Sequence, residues 1–188
     1  MWQHFIDGIK HITDLQGYDH MLFILALCAP YSIKQWKPIV LLATAFTVGH
    51  SISLALSVTG VVRFSSYWVE LLIPATIIVT ALTNISYLKH SADRVYWHRY
   101  VVTTAFGLIH GMGFSSFFRM IYDETGSLFK SLLMFNLGVE VGQLAIIAVL
   151  LVFSVLIVQL CKVNNKVYTG VLSLIALGLG VWLFVEKL

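Results

Sequence analysis

Apolar residues run along this chain in long blocks separated by short polar stretches. Blocks at about 38–60, 67–88, 98–120, 128–161 and 168–185 approach or exceed the ~20 residues that cross ~30 Å of hydrocarbon. The block at 128–161 is long enough to tilt or to project beyond the bilayer. The opening block is less regular. An amphipathic stretch over 2–13 precedes a short apolar run over 18–29 that Pro30 stops, and Gly17 stands where a helix would break or kink. Hydrocarbon offers no water to the backbone, so each spanning segment must satisfy its own N–H and C=O groups as a helix. The pattern therefore predicts an all-α fold: a polytopic membrane helical bundle of about six transmembrane helices with an irregular first helix, in a single integral membrane domain over 1–188.

Composition agrees. Hydrophobic residues make up 59% and charged residues 11%, with a mean hydropathy of +0.86, whereas a soluble domain carries about 25% charge. The net charge of +3 is spread over loops, which excludes nucleic acid as a partner and leaves the lipid bilayer. Cys28 and Cys161 sit far apart in apolar segments and read as buried apolar residues. The start, Met1 to Asp7, lacks the basic region followed by an apolar core that marks a secretory signal. One set of loops holds Lys34, Lys37, Lys89, Arg94, Arg99, Lys162 and Lys166 with Asp93 as the acid; the other holds Lys10, Arg63, Arg119, Lys130 and Lys187 beside Asp7, Asp14, Asp123, Glu124 and Glu186. The first set should face the cytoplasm by the positive-inside rule, which puts both termini outside. Trp2, Tyr18, Trp36, Tyr67, Trp68, Tyr96 and Trp97 fit interface anchors.

Against this background Asp19, His20, His50, His110 and Glu140 stand out, each inside an apolar stretch. A charged side chain near the bilayer centre costs about 2.5–3.5 kcal/mol on insertion scales, so it needs partners. At ~1.5 Å rise per residue, His50 and His110 each lie ~18 Å into their helices, Asp19 and His20 ~14–15 Å, and Glu140 ~18 Å from the opposite side. One shared depth suggests a polar site, and imidazole with carboxylate is a natural set of metal ligands. Asn136 and Gln143 flank Glu140 on one helical face, and Thr44, Thr47 and Ser51 accompany His50. Asn136, Gln143, Thr47 and Ser51 are candidates to orient ligands from behind. His11 joins the set if Gly17 breaks the first helix and lets it fold down toward His20. Glu70 sits where it would line an entrance.

Each residue alone has an ordinary explanation. A single intramembrane histidine often bonds one helix to another, Asp19 and His20 could pair as a buried ion pair, and a buried Glu140 could bond to Asn136. The metal reading rests on the set. His4, His90 and His98 fall in interfacial or loop positions and read as solvated. Gly107 with Gly111 and Gly138 with Gly142 form small-xxx-small patterns that let helices approach closely and flank His110 and Glu140.

Four stretches resemble the HupE/UreJ membrane proteins, and the second HupE/UreJ subgroup most nearly. They are Gly8-Ile9-Lys10-His11 with Gly17-Tyr18-Asp19-His20-Met21-Leu22-Phe23; Thr44 to Ser51; Phe106-Gly107-Leu108-Ile109-His110-Gly111-Met112-Gly113-Phe114; and Phe135 to Gln143. The better-known members are regarded as nickel permeases serving hydrogenase or urease maturation, which implies a bacterial inner membrane location. Asp19-His20 matches the family's opening motif, with His11 upstream at a longer spacing. The family's later helix carries two histidines around a Phe-His-Gly core, and here His110 stands without the second.

Two functions are compatible with these residues. The first is a nickel or related divalent-metal permease in which His11, Asp19, His20, His50, His110 and Glu140 form a transient site. The second is an intramembrane zinc hydrolase acting on a lipid or lipidated substrate, with Glu140 or Asp19 as general base and Ser51 donating to a developing oxyanion. A blander third is a subunit that merely holds an ion. A permease needs polar residues continuing into the cytoplasmic half, where Asn84 is the main one the sequence offers.

Overall fold

The computed structural model describes residues 2–14, 17–88, 97–122 and 127–188. Lys89, His90, Asp93, Arg94, Tyr96, Asp123 and Glu124 lie outside them. The described chain is helical: α1 (Trp2–Thr13), α2 (Asp19–Cys28), a 3-10 turn at Ile33–Gln35, α3 (Trp36–Val58), α4 (Ser66–Tyr87), α5 (Trp97–Ile121), α6 (Leu128–Ser154) and α7 (Asn165–Glu186). A π-helical stretch at Val155–Leu160 prolongs α6. Five helices, α3 to α7, are long and apolar enough to cross a membrane, and α2 is a shorter apolar helix. This is the expected bundle of an integral membrane protein.

Local chemistry sets the boundaries. Ser32 and Gln35 close a capping box ahead of α3, with the Ser32 N–H donating to Gln35 Oε1 at 3.1 Å. Pro38 is tolerated because it falls in the first turn of α3. Pro74 lies inside α4, where it removes one backbone donor. Asn164 caps α7 by accepting from the Lys166 N–H at 2.8 Å.

The first block is broken, as Gly17 foreshadows. Gly8 faces Phe135 and Val139, while Gly138 faces Phe5 and Ile9, so α1 runs alongside α6 in the same direction. The α2 end lies against Asn84, Thr169 and Arg99: Asn84 donates to Ala26 O, Thr169 to Ala29 O and Arg99 to Tyr31 Oη. That is the end of the bundle where α4 finishes and α5 and α7 begin. Helices α1 and α2 therefore form two halves of one span, interrupted between Thr13 and Asp19.

Two close crossings hold the centre together. Helix α3 packs most extensively on α5, and α1 on α6. A methyl group added at Gly107 would overlap the Phe46 carbonyl, and one at Gly138 the Phe5 carbonyl. Only a residue without Cβ lets these backbones meet. Gly111 is equally tight against His50, whereas Gly142 makes ordinary contacts with Ile9 and Ile12.

Candidate metal centre

The crossings bring four histidine rings to one place. His11 comes from the end of α1, His20 from the start of α2, His50 from α3 and His110 from α5. The His20 ring centroid lies 4.5 Å from His11, 4.8 Å from His110 and 6.4 Å from His50, and His11 lies 5.8 Å from His50. One potential ligand atom from each of His11, His20 and His50 lies within 4.8 Å of the other two. The break in the first span creates this arrangement, because it turns both His11 and His20 inward from the same segment.

Hydrogen bonding fixes which nitrogen each ring presents. His20 Nδ1 lies 2.9 Å from Asp19 Oδ1, which also accepts the His20 backbone N–H at 2.8 Å. His50 Nδ1 lies 3.2 Å from Asn136 Oδ1. The Asn136 amide is spent on Leu132 O at 2.8 Å, so its oxygen must face the ring and His50 Nδ1 must carry the proton. On His110 the pattern reverses. Thr76 donates its hydroxyl proton to Ile73 O at 2.7 Å, so at 3.1 Å from His110 Nε2 it can only accept, and the proton sits on Nε2. The remaining ring atoms, His20 Nε2, His50 Nε2 and His110 Nδ1, together with His11 Nε2, are buried and have no hydrogen-bond partner among the described residues.

Buried polar atoms without partners are rare in native proteins. Of the imidazole nitrogens left bare here, those of His11, His20 and His50 come close enough together to ligate one divalent cation, with His110 beside them. Aromatic residues seal the surroundings. Phe114 packs 3.8 Å from His11, Phe46 lies 5.1 Å and Phe23 5.6 Å from His110, and Phe135 stacks on Phe114 at 4.8 Å. A cleft of ≈ 750 Å³, lined by Asp7, Lys10, Thr13, Asp14, Phe114 and Phe117, reaches His11 from the α1 side of the bundle.

Not every residue of the expected set meets here. Glu140 is directed at Thr44, whose Oγ1 lies 2.6 Å from its Oε1. Gln143 is directed at Thr47, which donates to its Oε1 at 2.9 Å. The reason is spacing along α6: Asn136 is level with His50, and Glu140 is one turn beyond, ~6 Å further along the axis. Ser51 turns its hydroxyl to Thr47 O at 2.6 Å. Asp19 orients His20 from behind. Glu70 pairs with Lys187 at 3.0 Å, and both line a small recess of ≈ 90 Å³ that reaches Asp19. Thr76 is the participant that the sequence did not single out. Its only local sign is its place two residues after Pro74 in an otherwise apolar helix.

The family model described as HupE / UreJ protein matches residues 1–187, and the chain belongs to that family. No curated protein and no solved structure matches it.

Proposed function

We propose that this HupE/UreJ family member is a divalent-metal permease, for nickel or a related ion, whose transient site is made by His11, His20 and His50 with His110 beside them. The carrying observation is the set of four bare, buried ring nitrogens with hydrogen-bonded partners behind three of them. Imidazole suits Ni²⁺, Zn²⁺ and Cu²⁺. Asp19 and Asn136 act as orienting residues for the ligands, and Glu140, Gln143, Thr47 and Ser51 brace α3 against α6 or their own helix. The two aspartates lining the cleft at His11 favour a cation there.

Lys34, Lys37, Arg99, Lys162 and Lys166 gather at the end where α2 finishes and α3 begins, the cytoplasmic end by the positive-inside rule. The cleft at His11 then opens outward, as import across a bacterial inner membrane requires. The permease reading is preferred over a zinc hydrolase because Asp19 is bonded to His20, Ser51 to Thr47 O, and Glu140, bonded to Thr44 through Oε1 alone, stands outside the histidine group. Purified protein in liposomes loaded with a divalent-metal indicator tests this. Nickel entry above empty liposomes, lost in His20→Ala, His50→Ala, supports it. Tight zinc retention with no nickel entry would overturn it.

A further inference from the structure

A second polar cavity lies away from the four histidine rings, at the end of the bundle opposite the start of α3. It sits where α3 finishes, α4 begins and α5 finishes, and measures ≈ 350 Å³. Ser57, Ser66, Ser115 and Ser116 line it, together with Arg63 and Arg119. From Pro38 to Ser57 along α3 is ~28 Å of helix, close to the ~30 Å thickness of a hydrocarbon layer. The cavity therefore stands at headgroup level.

Its charge is one-sided. Arg119 donates to Ser57 O, a carbonyl that also accepts the Gly60 N–H at 3.1 Å. That bond holds the guanidinium beside the cavity and leaves its other N–H groups for a ligand. Arg63 has no hydrogen bond or ion pair among the described residues. The N-terminus of α4 adds to both. Ser65 makes no side-chain cap, the first turn holds no acid, and Ser66 and Val69 line the cavity. The first N–H groups of a helix have no partner within it, and its dipole places about half a positive charge there. Glu70 is the one acid on the described wall, and Lys187 meets it at 3.0 Å. Two guanidinium groups and a helix N-terminus thus share a cavity with no acid left to balance them. Such a wall repels the metal and attracts an anion.

The donors also say which anion. A guanidinium fork matches the paired oxygens of a phosphate, and helix N–H groups with serine hydroxyls can donate to the others. Ser115 spends its proton on Met112 O at 3.0 Å, whereas the hydroxyls of Ser57, Ser66 and Ser116 donate to no described residue. Beside the cavity, Val61, Phe64 and Trp68 are exposed apolar side chains. An oxyanion site at headgroup depth, flanked by apolar surface, fits a molecule with both parts. A phosphodiester with its glycerol has about ten heavy atoms, which at about 30 Å³ each need about 300 Å³.

We infer that this cavity binds the phosphate of an anionic phospholipid through Arg63, Arg119 and the N-terminus of α4. The site is independent of the permease reading. A headgroup held there ties the α3–α4 turn to the end of α5.

Thermal unfolding of the detergent-purified protein, titrated with lipid, tests this. Dioleoyl phosphatidylglycerol in the micelles should raise the midpoint saturably, and dioleoylglycerol, with the same chains and no phosphate, should not. Arg63→Ala should leave the lipid-free midpoint unchanged and raise the phosphatidylglycerol concentration at half-saturation at least about tenfold, the worth of a hydrogen bond to a charged group. Lys162→Ala, Lys166→Ala removes positive charge at the other end and should titrate like the parent. No saturable shift with phosphatidylglycerol, or equal losses in Arg63→Ala and in the lysine variant, would overturn the inference. Glycerol phosphate without acyl chains separates the sources. No shift at matched concentration supports a lipid, and a full shift that Arg63→Ala abolishes would overturn the lipid in favour of a soluble phosphate ester.

Discussion

Asp19 Oδ1 accepts both the backbone N–H and the ring Nδ1–H of the residue that follows it, His20, at 2.8 and 2.9 Å. Oδ1 thus orients the ring, and under the permease reading the ligand atom of the pair is His20 Nε2. A Zn²⁺- or Ni²⁺-binding imidazole held this way is more basic and better aimed than a free one. Asp19→Ala should weaken cobalt binding by about 10–100-fold, read from the visible absorption of bound Co²⁺. An unchanged titration would show that Asp19 does not support the ligand.

Thr76 tests the same idea on the opposite tautomer. Its hydroxyl accepts from His110 Nε2 only because its own proton goes to Ile73 O. Thr76→Ser keeps that geometry and should bind cobalt like the parent. Thr76→Val keeps the shape, removes the acceptor and should weaken binding. Equal binding by both would mean that His110 is not held for ligation.

Glu140 separates a ligand from a brace. Its carboxylate meets Thr44 and stands one turn beyond Asn136 along α6. Glu140→Gln should leave cobalt affinity unchanged and lower the thermal midpoint of the purified protein, followed by tryptophan fluorescence. Loss of the cobalt spectrum with an unchanged midpoint would return Glu140 to the ligand set.

The glycine crossings should be intolerant of a methyl group. Gly107→Ala would drive a Cβ into the Phe46 carbonyl on α3, a misfit on the scale of about 1–3 kcal/mol or more. Gly178→Ala, with nothing within 4 Å of the added atom, serves as the control. A lowered midpoint is expected for the first alone, and matching midpoints would contradict the close packing of α3 on α5.

The apolar blocks made the helices legible, because hydrocarbon leaves the backbone no other choice. The irregular opening was legible too, since Gly17 follows a short amphipathic stretch. Where His11 would end up was not, as it depends on whether α1 and α2 form one rod or two, and the break answers it by bringing the ring 4.5 Å from His20. Glu140 shows the opposite limit. Depth along a helix can be counted, but the facing partner depends on which helix lies alongside. Thr76 looks like an ordinary residue of an apolar helix until His110 is placed against it. Gly49 and Gly8 are similar: each gains meaning only from the carbonyl it faces, Thr104 and Phe135 respectively.

The most direct test of the centre is an equilibrium titration of purified protein with nickel, beside the His20→Ala, His50→Ala variant, with metal content read by elemental analysis after gel filtration. Both proteins should remain monodisperse. The wild type should take up nickel to a single saturable site, and the double variant should lose it. Equal nickel uptake by the two proteins would contradict the histidine centre outright.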